Sequence, residues 1–165
     1  MSLAICPGSF DPITLGHLDI ISRSAQIFDN VIVCIMFNSN KTKPMFAISE
    51  RVEMVKKVVE RFPNVRVDTS DGLLAEYAKQ FDGAVIVKGL RAASDFEYEF
   101  QRALLLKKVN PKLETAFFMT DGQYSFLSST GVRELACFGG NVSELVPPYV
   151  QHVIEAKFKS DKSEA

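Results

Sequence analysis

The chain has 165 residues, 47% of them hydrophobic and 24% charged, with a formal net charge of −1. That length suits one domain with a closed core, and the near-neutral balance excludes a broad, charge-driven grip on nucleic acid. No apolar run approaches the ~20 residues of a membrane span, and no basic region precedes the N-terminal apolar stretch, so neither a membrane anchor nor a secretory leader is expected.

Cys6, Cys34 and Cys137 stand far apart in apolar settings. An odd count without paired spacing predicts reduced, buried thiols and a cytoplasmic location. The two histidines, His17 and His152, offer no zinc-ligand spacing with them, and no protein-held metal is expected.

Leu3-Ala4-Ile5-Cys6 is a short apolar run that predicts a buried first strand. A Pro/Gly turn follows, and a helical pattern (Leu18, Ile21, Ala25, Phe28) begins at Gly16-His17. Strand, small-residue loop and helix start together aim unpaired N–H groups and a positive helix end at one place, which favours phosphate. His17 adds a further donor there. Residues 31–37 form a continuous β-branched run, the pattern of an interior parallel strand. Residues 38–46 read as a polar loop carrying Lys41 and Lys43. Ser49-Glu50-Arg51 reads as a capped helix start, with apolar positions at Val52, Val55, Val58 and Val59.

Beyond Pro63-Asn64, residues 65–68 predict a short strand, 73–81 a short helix, and 84–87 another buried strand running into a loop Lys88-Gly89-Leu90-Arg91. A long helix is expected over 94–109, stopped at Asn110-Pro111, then a fifth strand over 115–119. A loop over 121–128 leads to a helix near Ser129, and Pro147-Pro148 opens a last helix reaching about 158. The tail over 159–165 is charged and expected to fray. Strands alternating with helices predict a single doubly wound α/β domain over residues 1–158 with a five-stranded parallel sheet. Ligands of such sheets collect beyond the carboxyl ends of the strands, near the switch in strand order.

The loops on that edge carry Ser9 and His17, Lys41 and Lys43, Lys88 and Arg91, and Ser128-Ser129-Thr130 at a helix start. Each has an ordinary alternative: solvated lysines, a pairing of Lys88 or Arg91 with Asp95, a routine N-cap cluster. Their shared placement points to phosphate handling by electrostatics. Other chemistries lack their residues. There is no Gly-x-x-x-x-Gly-Lys-Ser/Thr loop, no Gly-x-Gly-x-x-Gly turn and no Gly-x-Ser-x-Gly elbow. Glu97 and Glu99 lie two apart on a helix and cannot face one another as an acid/base dyad.

Thr14-Leu15-Gly16-His17 and Ser128-Ser129-Thr130-Gly131-Val132-Arg133 resemble the two signatures of the class I nucleotidyltransferase superfamily, Thr/His-x-Gly-His and Ile-Ser-Ser-Ser/Thr-x-Val-Lys/Arg. Pro7-Gly8-Ser9-Phe10-Asp11-Pro12, Lys43-Pro44-Met45-Phe46, Gly89-Leu90-Arg91-Ala92 and Asp95-Phe96-Glu97-Tyr98-Glu99 narrow the likeness. Together they resemble the bacterial phosphopantetheine adenylyltransferase family across about residues 3 to 158, with a Rossmann-like fold. The resemblance implies adenylyl transfer from ATP to 4′-phosphopantetheine, giving dephospho-coenzyme A and pyrophosphate. It also implies magnesium bound mainly through the ATP phosphates, a homohexamer, and feedback binding of coenzyme A.

By the same resemblance, His17, Lys41 and Arg91 would be catalytic, His17 stabilising charge on the α-phosphate. Ser9 and Phe10 would lie where the two substrates meet. Lys41, Leu74 and Lys88 would hold the acceptor. Gly89, Leu90, Arg91 and Glu99 would hold ATP, together with Tyr124, Ser125, Phe126, Leu127, Ser128, Ser129 and Thr130. Lys41 and Lys43 compete for one role, Lys88 stands where the family usually has arginine, and Arg102 and Leu106 depart from it on the long helix. Rival readings are a nicotinamide-mononucleotide adenylyltransferase, a glycerol-phosphate cytidylyltransferase, and a non-catalytic nucleotide sensor.

Overall fold

The computed structural model describes residues 1–37 and 44–163. Its strands are β1 (Leu3–Gly8), β2 (Asn30–Met36), β3 (Val65–Ser70), β4 (Ala84–Leu90) and β5 (Glu114–Met119). Its helices are α1 (Leu15–Ile27), α2 (Ile48–Val59), α3 (Leu74–Ala78), α4 (Ala93–Val109), α5 (Ser129–Cys137) and α6 (Pro148–Ser163). The strands make one sheet in the order β3-β2-β1-β4-β5, every neighbouring pair parallel. The chain winds outward from β1 to β3, then crosses back to β4, so the switch in strand order lies between β1 and β4.

Strand alternation sorts the core into two layers. Ala4, Cys6, Val31, Val33 and Ile35 face one side, packed with Ile20 and Ile21 of α1, Met54 and Val55 of α2, Val132 of α5, and Val150 and Ile154 of α6. Ile5, Ile32, Cys34 and Ile86 face the other, beneath Leu74, Ala75, Tyr77 and Ala78 of α3 and Leu106 of α4. Each such aliphatic side chain contributes about 1.5–3 kcal/mol on burial. Gly89 is required where α1 crosses β4: a Cβ there would stand 2.9 Å from Ile20 Cγ1.

Four local expectations change. Lys88, Gly89 and Leu90 continue β4 instead of forming a loop, because they align with Phe117, Phe118 and Met119 of β5. Helix α2 begins at Ile48 after Ala47, not at a Ser49 cap, and the Glu50 carboxylate accepts the Ala47 N–H at 2.6 Å. Cys137 is exposed, while Cys6 and Cys34 are buried. Helix α6 runs to Ser163, since nothing in 159–163 is a glycine or proline that would stop it. Among the described residues, no helix is long and apolar enough to cross a membrane. Lys41 and Lys43 lie outside the described residues.

Candidate active site

The carboxyl end of β1 runs into a turn whose geometry is held from within. Phe10 adopts φ 43°, a left-handed conformation that costs a non-glycine residue about 1–3 kcal/mol. Its ring compensates by burial, only 3% exposed, and meets the His17 imidazole edge-on with centroids 5.1 Å apart. A Cβ at position 8 would stand 3.0 Å from that ring, so Gly8 makes room for it.

Helix α1 then starts with a reciprocal cap. The Thr14 hydroxyl accepts the His17 N–H at 3.3 Å, and His17 Nδ1 accepts the Thr14 N–H at 3.0 Å. A backbone N–H can only donate, so Nδ1 is the unprotonated nitrogen and the imidazole carries its hydrogen on Nε2. The cap thereby fixes both the ring's orientation and its tautomer.

Helix α5 presents a second N-terminus to the same place. The Ser128 hydroxyl caps it by accepting the Gly131 N–H at 3.0 Å, and the Ser129 hydroxyl donates to the Pro12 carbonyl at 2.8 Å. The end of β4 supplies charge. Lys88 pairs with Glu99 at 3.4 Å, and burial lowers the lysine's pKa, partly offset by that carboxylate. Arg91 pairs with Asp95 at 2.9 Å and donates to the Leu127 carbonyl at 2.9 Å. Both cations at the β4 end therefore hold carboxylate partners, and this stretch of the rim is a pair of ion pairs.

These groups line one cavity of about 500 Å3 over the β1/β4 switch. Of the residues singled out in the sequence, it brings together Ser9, Phe10 and His17 from the β1 side and Lys88, Gly89, Arg91 and Glu99 from the β4 side. Tyr124, Leu127, Ser128, Ser129 and Thr130 close the third side. Leu74 is not among its lining. It lies with Leu106 and Arg102 in a narrow crevice of about 10 Å3 that shares Lys88 and Glu99 with the main cavity. Leu90 is buried away from the cavity and gives its carbonyl to the Thr120 N–H. Ser125 turns back to the Gly122 carbonyl, and Phe126 is exposed on a separate apolar groove. Cys6 reaches the cavity floor, but burial pushes its thiol up to about 11, so it is no nucleophile at neutral pH.

Three charged residues that sequence reasoning left without a role stand behind this site. Asp11 is fully buried, between Arg51 and Arg133, and its carboxylate accepts the N–H groups of Met45 and Phe46. Arg133 ends the second signature and Asp11 lies in the Pro7–Pro12 block ahead of the first, but Arg51 carries no signal beyond a charge inside an amphipathic helix. Among the described residues, no group of three His, Cys, Asp or Glu side chains is arranged to hold a metal ion. Among the described residues, the carboxylates lining the cavity are Asp95 and Glu99, both already in ion pairs. Such a donor set suits a magnesium ion that keeps its waters and rides on substrate phosphates.

A family model described as cytidylyltransferase-like matches residues 5–135. The chain is 54% identical over 159 residues to the phosphopantetheine adenylyltransferase of Caldanaerobacter subterraneus subsp. tengcongensis, covering 96% of this chain and 99% of that one. A crystal structure of a Vibrio parahaemolyticus protein assigned as a nicotinate-nucleotide adenylyltransferase superposes with a TM-score of 0.69 at 20% identity. It covers 94% of this chain and 92% of that one, a likeness of fold alone. A full-length relative at this identity and a sheet whose switch point is walled by the two signature motifs lead to one assignment: the chain belongs to the phosphopantetheine adenylyltransferase family of cytidylyltransferase-like nucleotidyltransferases.

Proposed function

We propose that the enzyme transfers the adenylyl group of ATP to 4′-phosphopantetheine, releasing pyrophosphate and forming dephospho-coenzyme A in coenzyme A biosynthesis. The relative's name and its near-complete coverage support the substrates. The observation that carries the mechanism is the Thr14–His17 cap, which holds a neutral imidazole at the cavity wall as an Nε2–H donor.

The acceptor's phosphate is largely dianionic near neutrality, because its second pKa is about 6. Its oxygen attacks the α-phosphorus, the bond to the bridging oxygen of pyrophosphate breaks, and no proton has to be removed first. Two anions must instead be brought into line and the charge between them stabilised. His17 donates to the α-phosphate as that charge builds. Ser9 and Phe10 bound the meeting point, while Lys41 and Lys88 hold the acceptor phosphate and Leu74 its arm. Gly89, Leu90, Arg91, Glu99 and the segment from Tyr124 through Thr130 hold ATP. Magnesium carried on the ATP phosphates supplies further charge neutralisation when bound.

A cytoplasmic location and feedback binding of coenzyme A belong to the same reading, as does a homohexamer. Support for assembly comes from α4, which exposes Phe96, Tyr98, Phe100, Leu104 and Leu105 along a helix with no fully buried residue among those described. Sedimentation velocity tests it, and a monomer at micromolar concentration would refute it. The reaction is tested by pyrophosphate release with ATP, magnesium and 4′-phosphopantetheine, omitting each in turn. Release that persists without the acceptor, or appears only with CTP or a nicotinamide mononucleotide, overturns the reading.

A further inference from the structure

We infer that Arg133 is a positioning residue for the transfer, the outer end of a buried cluster that fixes the turn after β1 against the first residues of α5. This rests on the adenylyl-transfer reading. The cluster is built on Asp11, whose side chain is 1% exposed and which accepts the Met45 N–H at 3.1 Å and the Phe46 N–H at 2.9 Å. Arg51 flanks it with Nε 3.9 Å from the carboxylate, and gives hydrogen bonds to the Phe46 carbonyl at 2.8 Å and the Ser9 carbonyl at 3.1 Å. Arg133 flanks it from the other side at 3.7 Å, donates to the Asp11 carbonyl, and reaches the Thr130 hydroxyl oxygen at 3.1 Å.

Neither guanidinium is among the residues lining the cavity, yet each holds one that is, Ser9 or Thr130. Stability alone does not call for such a cluster, because well-packed apolar groups replace buried ion pairs at little or no loss. What guanidiniums add is direction: a planar fork ties backbone and side-chain atoms of segments far apart in the chain at fixed angles. Arg133 does one thing more. A guanidinium has no acceptor, so the Thr130 oxygen must accept from it, and the hydroxyl hydrogen is left to be given elsewhere. Thr130 is thus set as a donor toward an anion in the cavity, in register with the Asp11–Pro12 turn that Ser129 also grips.

The test uses the full chain with Arg133→Met and Arg133→Lys, reading kcat for pyrophosphate release, the KM of both substrates, ATP binding by calorimetry, and thermal unfolding. Arg133→Met is expected to lower kcat about 10²-fold, the effect of roughly an ångström of misplacement. Both KM values and the ATP Kd should stay within about threefold, and Arg133→Lys should recover part of the rate. Adding Thr130→Val to Arg133→Met should cost no more than the poorer single change, because the two act through one contact. A folded Arg133→Met variant with kcat within about twofold of the parent overturns the inference, as do rate and binding lost in parallel or multiplicative losses in the double variant. Where Arg133→Met does not fold, Arg133→Lys decides alone, a kcat within about twofold of the parent counting against the inference. A parent enzyme that releases no pyrophosphate overturns the transfer reading itself, and this inference with it.

Discussion

The two walls of the cavity are built on opposite principles. On the β1 side the polar groups are tied to the fold through backbone: Thr14 and His17 cap each other, and Asp11 sits between two guanidiniums with its oxygens on backbone amides. On the β4 side the cations are tied to other side chains, Lys88 to Glu99 and Arg91 to Asp95, and those pairs are 20–37% exposed. The first wall has one arrangement. Under the proposed function, the second would exchange a carboxylate partner for an incoming phosphate, which would concentrate precision at the reacting atoms and adaptability where the ligands are gripped.

The sharpest break in this contrast is Asp11→Ala. Removing the anion leaves two guanidiniums facing an uncompensated hole, and chemical denaturation should show a loss of about 3–5 kcal/mol. A loss below about 1 kcal/mol would mean the cluster is solvated in practice. Next comes His17→Ala, expected to lower kcat by about 10²–10³ in the pyrophosphate assay, as loss of one transition-state donor does. Near-normal turnover would move the catalytic donor to the other wall. Thr14→Ala removes the cap oxygen and should cost about 1 kcal/mol of stability by thermal unfolding.

A further comparison separates the walls by pH. Burial raises the Cys6 thiol from 9.0 to about 11, so between those values the unfolded chain has lost a proton that the folded chain keeps. Its contribution to stability falls as pH rises through that window. Lys88 is lowered from 10.5, so between its folded value and 10.5 the unfolded chain binds more protons, and its contribution rises with pH. Stability curves of Cys6→Ala and Lys88→Met from pH 8 to 11 should therefore deviate from the parent in opposite directions. Deviations of the same sign would remove the distinction.

The sheet was legible because its signal is local. Residues 31–35 alternate between two apolar layers, and only a strand buried on both faces needs such a run. The extension of β4 through Leu90 was not legible, because it depends on β5 lying alongside, which no local pattern encodes. Within the site, helix starts and signature motifs announced His17 and Ser128, Ser129 and Thr130. The Arg91–Asp95 pairing could be named as an alternative but not chosen, and Lys88 takes Glu99 where Asp95 was the partner considered. Leu90, Ser125 and Phe126, assigned to ATP by resemblance, do not present their side chains to the cavity, because a strand sends alternate side chains to opposite faces and a tight turn sends one outward. Positions 11, 51 and 133 converge only through the tertiary fold.

The cap at the start of α1 makes one ring serve as both hinge pin and tool. Because the imidazole that would face the reacting phosphate also closes the helix's first turn, fraying of that turn swings the donor out of register while the sheet beneath stays intact. On heating, turnover should then fade reversibly some degrees before the protein melts, with ATP slowing that fade by clamping the turn from outside.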